Sequence, residues 1–161
     1  MSKAKDAQPS RADQIAELTK RLKRAGAKDA KQWASSEVRE GIPQFARFLL
    51  LKHLTLATHD VSENLALAED VAPKISEAHA AACKALGAEQ VDALLRDYGK
   101  GLVQQFIDLI DFGNEDSEED EISWALVQTD GDGQVCEPLR IIEGLHEDLL
   151  DFEATSLAKG T

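Results

Sequence analysis

The sequence predicts a mainly α-helical (α+β) fold, a bundle of about five helices with a small C-terminal β-hairpin and a short last helix. Aromatic residues make up only 5% of the 161 residues. The core must therefore be built from Leu, Ile, Val and Ala, a composition that favours helices over sheets. Apolar residues recur at helical spacing through the first two thirds of the chain and then alternate, which is typical of strands.

The first two elements are predicted to be helices that follow a disordered basic tail at residues 1–9. Ser10 is a suitable N-cap for the first helix, and Gly26 is a suitable stop for it. A second, short helix is predicted from about Lys28 to Glu40, anchored by Trp33.

The central element is predicted to follow the helix boundary at residues 41–43, where Gly precedes Ile-Pro. The segment Phe45–Leu56 is apolar on nearly every face, as in the buried central helix of a bundle. We expect this helix to become polar and to continue to about Asp70. Another helix is predicted to start at Pro73 and to stop at Gly87.

A longer helix is predicted from about Ala88 to Gly113, which completes a bundle over residues 10–113. Residues 114–121, with the sequence NEDSEEDE, are predicted to form an acidic loop. The residues of the long helix that follow the amphipathic pattern are Val91, Leu94, Leu95, Tyr98, Leu102, Phe106 and Leu109.

The segment 122–153 is predicted to form a β-hairpin and a short helix that pack on the bundle. Residues 122–128 alternate as a strand, and Asp-Gly pairs within 129–133 suit a tight turn. Residues 134–137 would form the return strand, and residues 154–161 a frayed tail. The last helix is predicted to use the apolar residues Ile141, Ile142, Leu145, Leu149 and Phe152.

Charge is separated along the chain. Residues 1–52 contain 12 Lys and Arg against 6 Asp and Glu, a net charge of +6. Residues 53–161 contain 6 against 24, a net charge of −18. Such a dipolar chain favours encounter with basic surfaces and disfavours binding of anions by its larger part.

The sequence also bears on the compartment. Cys83 and Cys136 form no CxxC pair, and we expect reduced thiols in a cytoplasmic protein. Residues 1–8 are polar and resemble no secretory signal. No apolar run reaches the ~20 residues that a membrane span requires. We therefore expect a soluble protein of the bacterial-cytoplasm type, without a membrane segment and without a cofactor.

The leading functional hypothesis is a non-catalytic protein–protein interaction module of the immunity-protein, antitoxin or adaptor type. Its acidic surface would bind a basic protein partner. The alternative for the acidic loop is a solvated linker. The acidic residues predicted to bind the partner are Glu115, Asp116, Glu118, Glu119, Asp120 and Glu121.

A second hypothesis is a metal-dependent helical-bundle enzyme, because imidazole and carboxylate groups suit Zn or Fe. His53 and Asp60 would share one helix face, His59 and Glu63 a neighbouring one, and His79 would come from the next helix. The alternative is that His53 and His79 pack in the fold and that His59, Asp60 and Glu63 cap or solvate the helix end. No motif for nucleophilic catalysis is present, so the sequence favours a protein that is not an enzyme.

The sequence offers two further hypotheses, binding of a nucleic acid and formation of a homodimer. The basic run at residues 20–31 could contact phosphates of a nucleic acid, although the negative charge elsewhere would oppose it. The alternative is a solvated helix face that pairs with the protein's own acidic surface. An exposed hairpin edge also invites pairing, so a homodimer through that edge is predicted.

Overall fold

The computed structural model describes residues 9–113 and 123–157 and confirms the mainly α fold with a small two-stranded antiparallel sheet near the C-terminus. The described elements are, in chain order, α1 (Arg11–Ala25), α2 (Ala30–Glu40), α3 (Gln44–His59), α4 (Val61–Ala68), α5 (Ile75–Leu86), α6 (Ala88–Phe112), β1 (Leu126–Val127), β2 (Ile141–Ile142) and α7 (Leu145–Thr155).

The ends of the first helices follow from local chemistry. The Ser10 hydroxyl accepts the backbone N–H of Asp13, which satisfies a donor that the first turn of α1 leaves free. Gly26 and Gly41 end α1 and α2 in the left-handed conformation, which a residue without a Cβ adopts at little cost. The predicted boundaries of α1 and α2 are therefore confirmed to within two residues.

The core is centred on α3, which contacts α1, α2, α6 and α7. Phe48 and Leu51 of α3 are fully buried. The Phe48 ring lies 5.6 Å from the Trp33 ring and 5.3 Å from the Phe152 ring, measured between centroids. The three rings join α2, α3 and α7. Burying such side chains contributes about 1.5–3 kcal/mol each.

The expectation that α3 continues to Asp70 is wrong, because α3 ends at His59 and α4 begins at Val61. Asp60 lies between the two helices, and its carboxylate accepts the backbone N–H of Glu63 at 2.9 Å. This N-cap bond starts a new helix, since it satisfies a donor in the first turn of α4.

The C-terminal sheet differs from the predicted hairpin in its return strand. Leu126 pairs with Ile142 and Val127 with Ile141. The predicted pairing with residues 134–137 is reduced to an isolated bridge between Thr129 and Val135.

The predicted turn is nevertheless present. The Asp130 carboxylate accepts the backbone N–H groups of Asp132 and Gln134, both at 2.9 Å, and Gly133 has a positive φ.

The assignment of Ile141 and Ile142 to the last helix is therefore wrong. These two β-branched residues extend as β2, which buries Ile142. The helix α7 starts only at Leu145, after Gly144 adopts the left-handed conformation with φ +69°. Ile122, the first residue of the predicted strand, lies outside the described residues.

Arg47 and Asp111 fix the start of α7. The Arg47 side chain, which is 8% exposed, donates to the Gly144 carbonyl at 2.6 Å and to the Asp148 carboxylate at 2.8 Å. Asp111 of α6, 2% exposed, accepts the backbone N–H of His146 and contacts its ring Nδ1, each at 2.8 Å. Helices α3 and α6 thus both bind the first turn of α7.

Residues 154–157, expected in a frayed tail, are held by the turn that follows α1. Helix α7 continues to Thr155, and Leu157 is buried and bridges to Ala27. The backbone N–H of Lys28 donates to the Ser156 carbonyl at 3.0 Å. Burial of Leu157 beyond the helix therefore fixes residues 154–157 against the turn that follows α1.

Candidate functional site

One face of α6, here called the α6 stripe, exposes a row of six large apolar side chains. Its side chains are each between 49% and 65% exposed. With 3.6 residues per turn they fall in an arc of about 120°. No charged residue of α6 falls in that arc. The members of the stripe are Leu94, Tyr98, Leu102, Phe106, Leu109 and Phe112.

The stripe is exposed because α6 has two apolar faces and the fold buries the other one. Ile107 is fully buried, and Val103 and Ile110 pack against the same core. The helix contacts α3 and α7 on that side. The amphipathic pattern read from the sequence included five members of the stripe and did not distinguish the two faces.

The remaining residues of the chain offer little to cover the stripe. Residues 1–8, 114–122 and 158–161 contain two large apolar side chains, Met1 and Ile122. Trp124 extends the exposed apolar surface at the C-terminal end of α6, where its indole N–H donates to the Leu109 carbonyl at 2.8 Å.

The six acidic residues predicted to bind a partner lie in the segment 114–121, outside the described residues. The ends of this segment are attached beside the α6 stripe. Gly113 follows α6 directly and lies close to Ser123, the first described residue after the segment. A Cβ added at Gly113 would be only 2.7 Å from the Ser123 hydroxyl oxygen. Chain connectivity therefore attaches six carboxylates to the C-terminal end of the stripe.

Four of the five predicted metal ligands line one open cleft of about 700 Å³ between α3, α4 and α6. The His59 ring pairs with Glu153 of α7 at 3.4 Å, and Asp60 caps α4. His53 and Glu63 are exposed. Within the described residues, none of these four belongs to a group of three donor atoms close enough to hold a metal. The five-residue metal site stays a prediction.

The structure brings His79, the fifth predicted ligand, to Cys83 and Asp92 instead. His79 Nε2 lies 3.0 Å from Asp92 Oδ1 and 3.4 Å from Cys83 Sγ. His79 and Cys83 are one turn apart on α5, and Asp92 belongs to α6. Among the described residues, these three form the group whose donor atoms lie close enough together to bind one metal ion. Its spacing of four residues between His79 and Cys83 was readable from the sequence.

A second cavity, of about 330 Å³, lies between α3, α6 and α7. Its lining is mainly apolar, with Thr55 and Thr58 on one side and Val103 and Leu149 among the others. The Lys100 ammonium and the Glu153 carboxylate, 3.4 Å apart, lie at its edge. The Thr58 hydroxyl in its lining donates to the Thr55 carbonyl at 2.8 Å.

The basic run of α1 and the following turn is partly engaged within the protein. The Arg21 guanidinium lies 4.5 Å from the centroid of the Phe45 ring. The Lys20 ammonium lies 3.6 Å from the Glu17 carboxylate, and Lys28 donates to the Ala154 carbonyl. Binding of a nucleic acid by residues 20–31 stays a prediction.

None of the described helices is both long enough and apolar enough to cross a lipid bilayer. The chain matches no protein-family model, no curated protein and no solved structure.

Proposed function

We propose that this protein is a non-catalytic protein–protein interaction module that binds an amphipathic helix of a basic partner on the α6 stripe. The observation that carries the proposal is the exposed arc of α6 that contains six large apolar side chains and no charged one. An apolar helix face of this kind is recognised by apolar side chains at i, i+3, i+4 and i+7 of a partner helix.

The area of the stripe supports docking. Six large side chains that are about half exposed present roughly 600–700 Å² of apolar surface. The largest apolar patch on a typical monomer is about 300–600 Å². A specific interface uses about 800 Å² on each partner, which the stripe approaches with Trp124 added.

Charge favours a basic partner over a second copy of this chain. Each copy has a formal net charge of −12, so two copies repel each other. The acidic segment attached at the C-terminal end of the stripe would add to this repulsion. A partner helix with Lys or Arg beside its apolar face would instead be attracted, and its rate of association would increase.

Two features support the compartment and class that the proposal includes. Cys83 and Cys136 are both free thiols, as in a reducing cytoplasm. An acidic module with one apolar docking face fits an immunity protein, an antitoxin or an adaptor of the bacterial-cytoplasm type.

The test uses three synthetic peptides and the full chain. The first peptide is amphipathic, with Leu on one face and Lys beside it. The second has the same composition in scrambled order, and the third carries Glu in place of Lys. Fluorescence anisotropy should show that the first peptide binds about tenfold or more tightly than the others. Equal binding of the scrambled peptide would contradict the proposal.

Variants locate the binding surface. The double variant Leu102→Glu/Phe106→Glu places charge in the middle of the stripe and should weaken binding of the first peptide by about tenfold or more. Leu139→Glu, at a residue that is 58% exposed and outside α6, is the matched control and should bind normally. Circular dichroism checks that each variant is folded. Unchanged binding by a folded double variant would overturn the proposal.

The acidic segment is tested separately. Replacing its Asp and Glu residues by Asn and Gln should weaken binding of the Lys peptide and reduce its dependence on salt. Analytical ultracentrifugation tests the other occupant of the stripe. A wild-type dimer that the Leu102→Glu/Phe106→Glu variant converts to a monomer would assign the stripe to self-association and overturn the partner proposal.

A further inference from the structure

We propose that His79, Cys83 and Asp92 form a site for one Zn²⁺ ion that joins α5 to α6. This site is independent of the docking surface on the α6 stripe. It shares His79 with the metal site predicted from the sequence, but it takes its other ligands from different residues.

The separations of the three donor atoms fit the ion. Tetrahedral Zn²⁺ with ordinary bond lengths places a nitrogen and an oxygen ligand about 3.4 Å apart and a sulfur and a nitrogen about 3.6 Å apart. The corresponding distances are 3.0 Å between His79 Nε2 and Asp92 Oδ1 and 3.4 Å between His79 Nε2 and Cys83 Sγ. All three donor atoms lie within 4.8 Å of one another. The two distances at His79 Nε2 are therefore within a few tenths of an ångström of those in a tetrahedral site.

Hydrogen bonding engages the thiol only weakly in this arrangement. The carboxylate oxygen of Asp92 lies 3.0 Å from Nε2 of His79, whereas the thiol of Cys83 lies 3.4 Å from Nε2 and 3.9 Å from Nδ1. When Nε2 is protonated it donates to Asp92, and Nδ1, at 3.9 Å, is then the ring nitrogen that can accept from Cys83. A cation among the three atoms uses a lone pair from each of them at the same time.

The choice of Zn²⁺ follows from the ligand types. One imidazole, one thiolate and one carboxylate are all ordinary zinc ligands, and the thiolate disfavours Mg²⁺ and Ca²⁺. The three residues are half-buried, with the His79 side chain 25% and the Asp92 side chain 37% exposed. Solvent can therefore reach the site and provide a water as the fourth ligand. On binding, the Cys83 S–H bond breaks, its proton goes to solvent, and a Zn–S bond forms.

The position of the site indicates what the ion does. Neither α4 nor α5 has a buried residue among its described positions, so α5 has little apolar packing to hold it. The ligands come from both helices that flank Gly87. An ion that binds the folded state and not the unfolded chain stabilises α5 against α6 by mass action.

The test is titration of the reduced, metal-free full chain with Co²⁺ and then with Zn²⁺ alone. Co²⁺ should bind at one equivalent and produce visible d–d bands and a near-ultraviolet thiolate-to-cobalt charge-transfer band, both of which Zn²⁺ removes. Zn²⁺ should also raise the melting temperature, and a chelator should reverse the rise. Absence of a charge-transfer band would overturn the proposal.

Matched variants test the ligands. Cys83→Ser should abolish the charge-transfer band, whereas Cys136→Ser, which changes the other cysteine, should retain it. Asp92→Asn should weaken Zn²⁺ binding by about tenfold or more and provides a second readout if Cys83→Ser does not fold. His53→Ala should bind normally. Loss of binding in His53→Ala with normal binding in Cys83→Ser would transfer the ion to the cleft between α3, α4 and α6 and overturn the assignment.

Discussion

Gly144 shows how one backbone conformation fixes the start of α7. Its φ is +69°, and its carbonyl accepts a hydrogen bond from the buried Arg47. A Cβ at this position would lie 3.3 Å from Arg47 Nη2, closer than an ordinary contact. We therefore expect Gly144→Ala to lower the free energy of unfolding by about 1–3 kcal/mol, from backbone strain and displacement of the guanidinium. Urea denaturation measures this change.

Gly41→Ala is the matched control for that prediction. Gly41 has a similar φ of +79°, but a Cβ there would have nothing within 4 Å. Both variants have the same left-handed strain, and only Gly144→Ala crowds Arg47. An equally large loss in the two variants would show that the contact with Arg47 contributes nothing.

Asp148 gives the fold a pH dependence of known direction. Burial raises the pKa of Asp148 above its ordinary value of 3.8, the nearby Arg47 opposes the rise, and Glu147 adds to it. The folded state therefore binds the proton more tightly than the unfolded chain does. The stabilisation from this group is fully present below pH 3.8 and is lost as the pH rises through the raised pKa.

Asp148→Asn removes this titration and keeps an oxygen for Arg47 to bind. The free energy of unfolding of the wild type minus that of Asp148→Asn should fall as the pH rises from 3.8 toward neutrality. Urea denaturation across this range measures the difference. A difference that grows with pH would mean that the attraction of Arg47 outweighs burial.

At the level of elements, the first turn of α7 depends on Asp111. One oxygen of this buried carboxylate accepts a hydrogen bond from the His146 backbone N–H and also contacts Nδ1 of the His146 ring. Asp111→Ala removes the carboxylate oxygen that both groups of His146 contact. We expect this variant to lower the free energy of unfolding by about 2–4 kcal/mol. Asp111→Asn keeps a neutral acceptor and should lose less. Asp97→Ala, at an exposed position of the same helix, should change stability little.

The helices were predictable because their ends depend on residues close in sequence. Ser10, Gly26, Gly41 and Gly87 each act within one turn of the helix that they bound. The break at Asp60 was missed because an Asp residue can either cap a new helix or lie within a continuing one, and the sequence does not distinguish the two. Pairing of residues near 126 with those near 141 depends on packing against the core, which no local pattern specifies.

The candidate sites were predictable only in part, because they too depend on how the helices pack, which no local sequence pattern specifies. Helical spacing identified the apolar residues of α6, but which of its faces is covered depends on where α3 and α7 pack. His79 was singled out from the sequence, whereas Cys83 was predicted to be a reduced thiol. Asp92 comes from the next helix, so its approach to His79 follows from the packing of α5 on α6.

Across the whole molecule, burial is uneven. Helix α3 has five buried residues, of which Phe48 and Leu51 belong to the hydrophobic core, and α7 contributes the fully buried Leu145 and Phe152. Neither α4 nor α5 contributes one among its described residues. The net charge of −12 adds a general repulsion that favours opening of weakly packed parts.

We therefore expect α4 and α5 to open locally without unfolding of the core. In hydrogen-exchange mass spectrometry, amides of residues 61–86 should exchange through low-energy openings, whereas the buried part of α3 should exchange only on global unfolding. Phe48→Ala, which removes a fully buried ring and should cost about 3–5 kcal/mol, should accelerate exchange in α3 and change that of α5 much less. Equal acceleration in both helices would mean that the chain unfolds as one cooperative unit.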